Sequence, residues 1–106
     1  MKLEKIIKQY FEASNNYNEE ELKKCFTSNS ILFDEGRQYS GNVTIAKHIQ
    51  QANNQNVKVK VLQIRTEGVK TIVIGEVTGS FDPILLDFTF TLSNGLISEL
   101  AITNTK

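Results

Sequence analysis

Leu3, Ile6, Ile7, Tyr10 and Phe11, with Ser14 continuing the stripe, recur at spacings of three and four along the first stretch of the chain. That period predicts an amphipathic helix over about residues 2–15, with Lys2, Glu4, Lys5, Lys8, Gln9 and Glu12 on its wet face. Asn15-Asn16 ends the pattern. Asn18 then caps a second, short helix, and Glu21 three positions later completes a capping-box signal with Asn in place of the usual Ser or Thr. Leu22, Cys25 and Phe26 supply its buried side. Two helices joined by so few residues should lie against each other as a hairpin.

Beyond them the period changes. Ile31, Leu32 and Phe33 form a short strand that ends on Asp34, and Glu35-Gly36 breaks it into a turn. A third helical stripe follows Gly41, through Val43, Ile45, Ala46, Ile49 and Ala52, and stops at Asn53-Asn54. Then comes alternation: Val57, Val59, Val61 and Ile64 against Lys58, Lys60 and Gln63, one covered face and one wet face. Glu67-Gly68, Asp82-Pro83 and Ser93-Asn94-Gly95 punctuate three further strands, Thr71–Gly79, Ile84–Leu92 and Leu96–Ile102. Gly75 and Gly79, inside one strand, are candidate sites for a bulge and a sharp bend. Helices first and then an antiparallel meander predict an α+β fold, three helices packed on a strongly curved antiparallel or mixed sheet that forms a cone. The mouth of such a cone suits a small molecule.

At 106 residues the chain is long enough for one core, so the expectation is a single domain over residues 1–106. Twelve basic and twelve acidic residues cancel, which argues against nucleic acid as partner. No apolar run is long enough to span a membrane and the start carries no signal-peptide core, so a cytoplasmic, reduced protein is expected. A lone Cys25 and a lone His48 rule out a Cys/His zinc site, and no motif implies a metal or organic cofactor.

The pieces Tyr10-Phe11, Phe26, Ser30–Asp34, Gly41 with Ile45, and Phe90–Ile97 with Asn94-Gly95 stand in an order that resembles the nuclear-transport-factor-2-like fold, a cystatin-like α+β roll. Within it the chain looks most like SnoaL-like and ketosteroid-isomerase-like proteins, over nearly its whole length from Ile6 to Ile102. The resemblance implies an isomerase that moves a proton beside a carbonyl, with an aspartate as base, and a tyrosine and a second, protonated aspartate as oxyanion donors. Matched to that pattern, Asp34 takes the base position, Tyr10 the tyrosine position and Asp87 the second aspartate, eight residues before Gly95. Phe26 and Ile49 stand where some members carry supporting tyrosines. Phe11, Phe26, Tyr39, Ile49, Phe88 and Phe90 are the expected ligand-binding residues, and the resemblance further implies a homodimer through the outer sheet face.

Each of these residues also has a plainer reading. An Asp before Glu-Gly caps a turn as readily as it serves as a desolvated base. Tyr10 lies on a core stripe and needs only its hydroxyl at the rim. Strand parity groups Asp87 with Thr89 and Thr91, and puts Leu86, Phe88, Phe90 and Leu92 on the other face, so Phe88 competes for the inward position. His48 has no partner along the sequence and reads as an exposed or hydrogen-bonded surface residue; Cys25 reads as a buried small hydrophobe. Arg37 and Tyr39 follow Asp34 as mouth-lining or ordinary loop residues. A proton-transfer enzyme with Asp34 as base, and a non-catalytic ligand-binding or dimerisation module, are the two functions left standing.

Overall fold

In a computed structural model that describes residues 3–105, the first stripe folds as α1 (Lys5–Asn15) and the capped segment as α2 (Glu19–Cys25). Lys2, assigned above to the wet face of α1, lies outside the described residues, as do Met1 and Lys106. Asn18 caps α2 as expected: its side-chain oxygen accepts from Glu21 N at 3.1 Å, and Glu19, Glu20 and Glu21 complement the positive helix end. Phe26 does not belong to α2. It opens β1 (Phe26–Asp34), because the chain passes from helix to strand with no connecting residue. At the end of β1 the turn residues Glu35 and Gly36 both take positive φ, 53° and 76°, and reverse the chain into β2 (Arg37–Ser40). The expected loop after Asp34 is therefore a hairpin.

α3 (Asn42–Asn53) covers β1 and β2, and the meander continues as β3 (Lys58–Glu67), β4 (Lys70–Thr78), β5 (Ile84–Ser93) and β6 (Leu96–Asn104). The six strands form one sheet in the order β2-β1-β6-β5-β4-β3. All neighbours are antiparallel except β1 and β6, which run parallel and set Leu32 beside Leu100 and Asp34 beside Ile102. The sheet is thus mixed, and its inner face carries Leu32, Leu100, Phe90, Phe88 and Val73 against Ile7, Leu22 and Ile45 of the helices. No helix among the described residues is long and apolar enough to cross a membrane.

Two features shape the cone. Leu62 is an extra residue of β3 opposite Gly75, where pairing shifts between Val61 and Gln63, and the bulge bends the outer strands over the helices. Gly75 itself lies under the Phe88 ring; a Cβ there would come within 2.7 Å of Val59 Cγ1 and 3.1 Å of Phe88 Cε1. Gly75→Ala is expected to destabilise the fold by about 1–3 kcal/mol, the usual range for overpacking, read as a lower urea midpoint at unchanged slope. An unchanged midpoint would mean that the bend is not enforced there. Asn15 closes the far side. Its amide donates to Val59 O at 2.9 Å and accepts from Val59 N at 2.8 Å, pairing α1 to the edge strand as a neighbouring strand would.

Candidate functional site

The helices do not fill the cone. Between α1, α3 and the inner faces of β3 to β6 lies a cavity of about 310 Å³, at the small end of ligand-binding volumes. Its walls are mostly apolar, with Ile49, Val59, Val77, Leu86, Phe88 and Ile102 prominent. Polar groups reach it at two places: Asp34, Glu35 and Tyr10, and, further along the same helices, Ser14 and Asn53.

Asp34 occupies the last position of β1, where the inner-face parity of Ser30 and Leu32 points its carboxylate toward the helices. There it meets His48 of α3: the imidazole Nε2–H donates to Asp34 Oδ2 at 2.9 Å, with the side chains 24% and 16% exposed respectively. Tyr39 of β2 lies flat on the imidazole, centroid to centroid 3.9 Å with 20° between planes. β2 therefore has a part in the site: its pairing with β1 places Tyr39 opposite Leu32, over the ring. Asp34 borders the cavity and His48 stands behind it. Among the described residues Asp34 Oδ1 has no protein partner, which leaves that oxygen for whatever enters.

Tyr10 lines the cavity from α1 with its ring wedged edge-on against Phe11, Phe26 and Phe90, at centroid distances of 5.0, 6.0 and 5.4 Å. Its hydroxyl has no hydrogen-bond partner among the described residues and is not sealed from the cavity. Burial holds the phenol far above its usual pKa, the negative charge of Asp34 adds to the effect, and Cys25 adds last, only at the high pH where its own thiol ionises. The hydroxyl is consequently a neutral donor at every physiological pH. Cys25 lies away from this chemistry: burial, and then Glu21, push its thiol up to about 11, and Sγ donates to Glu21 O at 3.3 Å.

Several expected positions are corrected. Asp87 does not face the cavity; it stands on the outer sheet face and accepts from Thr105 Oγ1 at 2.7 Å. The register that pairs Phe88 with Val73 and Phe90 with Thr71 turns even-numbered residues of β5 inward, so parity prevails over the count from Gly95. Phe88 holds the inward place. Of the six expected ligand-binding residues, Ile49 and Phe88 line the cavity. Phe11, Phe26 and Phe90 close the narrow end of the cone around Tyr10, and Tyr39 covers His48.

His48, Ser14 and Asn53 join the site without having been expected there. For His48 the available signal was the turn at Glu35-Gly36: a strand doubling back into a following helix returns that helix to the strand end. Ser14 was legible only as a polar member of a core stripe. Among the described residues no group of three or more His, Cys, Asp or Glu side chains is placed to hold a metal ion.

Solved structures share this architecture. A candidate polyketide cyclase of Sinorhizobium meliloti is 28% identical, with 95% of each chain covered and a TM-score of 0.89. A candidate ketosteroid isomerase of Kribbella flavida matches at 13% identity and TM-score 0.85, over 97% of this chain and 77% of that one. An NTF2-like protein of unknown function from Cytophaga hutchinsonii matches at 17% identity and TM-score 0.80, over 94% and 87%. No functionally curated protein matches the chain. Residues 3–90 match the model of the nuclear transport factor 2 (NTF2) domain, and with the helices, sheet order and cavity described above the chain belongs to that family.

Proposed function

We propose that the chain is a proton-transfer enzyme acting next to the carbonyl of a small apolar compound. One observation carries this reading: a carboxylate held at 2.9 Å by an imidazole borders an apolar cavity into which a neutral, unpartnered tyrosine hydroxyl also opens. In the proposed step Asp34 Oδ1 takes a proton from the carbon beside the carbonyl. The electron pair of that C–H bond becomes a C–C double bond, and the carbonyl π pair moves onto oxygen. The Tyr10 hydroxyl donates to the enolate oxygen as it forms. His48 keeps the Asp34 carboxylate aimed and disperses its charge, and Tyr39 fixes the plane of the imidazole. Where a β,γ-double bond of the substrate extends the enolate to a dienolate, return of the proton to the γ-carbon, with the electron pair drawn back from oxygen to re-form the carbonyl, completes an isomerisation. Attack of the enolate carbon on a second carbonyl would instead close a ring, the class of reaction named for the S. meliloti neighbour.

The test is exchange. Small cyclic ketones incubated with the protein in deuterium oxide should acquire deuterium beside the carbonyl faster than in buffer, and the rate should depend on Asp34. The non-catalytic binding module is favoured by one feature, Phe88 in the position where a second oxyanion donor was expected. Binding of the ketone with no exchange above buffer would decide for it.

A second copy of the chain is the proposed partner, through the outer sheet face. There Phe33 and Leu85, 38% and 45% exposed, flank Ile31, Ile74 and Ala101. Sedimentation at micromolar concentration is expected to give a species of twice 12.0 kDa; a sole 12.0 kDa species would refute the pairing.

A further inference from the structure

Two polar side chains in the cavity take no part in the proposed proton transfer. Ser14 of α1 and Asn53 of α3 are 3% and 8% exposed, and both line the cavity. Asn53 Nδ2 donates to Ser14 Oγ at 2.9 Å and to Ser14 O at 3.2 Å. That tie leaves a donor and an acceptor over: the Ser14 hydroxyl hydrogen and Asn53 Oδ1 have no partner among the described residues. Asn53 Oδ1 is not among the partnerless side-chain atoms sealed from solvent in the described residues, Ser30 Oγ and Gln50 Oε1, so it keeps some exposure, and its residue lines the cavity. Buried polar groups normally find partners, and two helices cross more stably on apolar side chains than on a half-satisfied amide.

The two polar stations are separated along both helices. On α1, Ser14 follows Tyr10 by four residues, about 6 Å of helical rise; on α3, Asn53 follows His48 by five, about 7.5 Å. The rest of the wall is mostly apolar, with Ile49, Val59, Val77 and Phe88 among its residues. We infer that Ser14 and Asn53 receive a second oxygen of the ligand. The substrate class is then an apolar, ring-sized ketone that carries a hydroxyl or carbonyl on the side remote from its reacting carbonyl. This rests on the proton-transfer reading for the direction in which the ligand lies. Ser14 donates to the remote oxygen, Asn53 Oδ1 accepts from it when it is a hydroxyl, and the pair selects by that match.

Aromatic enols, which share the planar shape and oxygen position of the enolate, make a direct test. The probes are 2-naphthol, with one oxygen, and 2,6-dihydroxynaphthalene, with a second oxygen across the ring system, each titrated by its own fluorescence. The dihydroxy compound is expected to bind the unaltered protein about tenfold more tightly, the worth of one added hydrogen bond. In Ser14→Ala, which removes one oxygen and leaves Asn53 its backbone acceptor, the ratio of the two affinities should fall toward one. Equal affinities in the unaltered protein, or a ratio that survives Ser14→Ala, would overturn the assignment and leave the Asp34 reading intact. An intact ratio beside deuterium exchange that ignores Asp34→Asn would overturn the Asp34 reading alone. Failure of both probes to bind would overturn both.

Discussion

Asp34→Asn is expected to slow deuterium exchange into a small cyclic ketone by about 10²–10⁴-fold, the usual contribution of a positioned general base. The substitution is chosen because it changes little else. Asn keeps the shape of the side chain and an oxygen to accept from the His48 Nε2–H, so the contact at 2.9 Å and the stack of Tyr39 on the imidazole have no reason to move. What it loses is the lone pair that takes the proton. Exchange by the variant at the unaltered rate, with the protein folded, would remove Asp34 from the mechanism and leave the cavity as a binding site. The thermal midpoint serves as the control. The Asp34–His48 contact is partly solvated, so its share of stability is modest and a shift of many degrees would signal misfolding rather than lost chemistry.

The largest expected loss of stability belongs to Phe90→Ala. Phe90 is fully buried on β5, with its ring edge-on to Tyr10 at 5.4 Å and to Phe11 at 5.8 Å. Removing a ring from a site closed by strands on one side and a helix on the other leaves a cavity that the neighbours cannot fill. The expected cost is about 3–5 kcal/mol, a large fraction of the stability of a domain this size. Chemical denaturation would show it as a lower midpoint, and a cost below about 1 kcal/mol would mean that the narrow end of the cone is loosely packed. The variant also bears on function. With Phe90 gone, Tyr10 loses one of three aromatic braces, so ligand binding should weaken beyond what the fall in stability explains.

How much of this was legible beforehand depended on whether the information was local. The helices and the meander follow from periods of 3.6 and 2 written into the residues themselves, and the Asn18 cap needs only Glu21 three positions on. The parity of β5 was equally local: Leu86, Phe88 and Phe90 alternate without interruption, and that alternation is what placed Asp87 outside. β2 was missed because Arg37, Gln38, Tyr39 and Ser40 carry no apolar alternation; they are a strand only because β1 lies beside them. Phe26 was misplaced for the opposite reason, an apolar residue that suits either element at a junction with no breaker. The Asp34–His48 pair is tertiary. Each residue has a bland reading alone, and only the return of the chain through β2 and into α3 joins them.

The parallel contact between β1 and β6 has a consequence for the order in which the molecule can be made. Helices α1 and α2 contact each other within the first quarter of the chain, and β3 to β6 pair hairpin by hairpin, so both can form as they leave the ribosome. Asp34, however, takes its place beside Ile102, a neighbour synthesised long after it. A nascent chain that has reached the end of β5 already holds Tyr10, Asp34 and His48, yet lacks the strand against which β1 must lie. Joining them closes a loop through most of the sequence, which is entropically slow and sets a long-range step at the end of folding. Until then β1 presents its β6-facing edge unpaired to any neighbouring chain, since the short, polar β2 covers only the opposite edge.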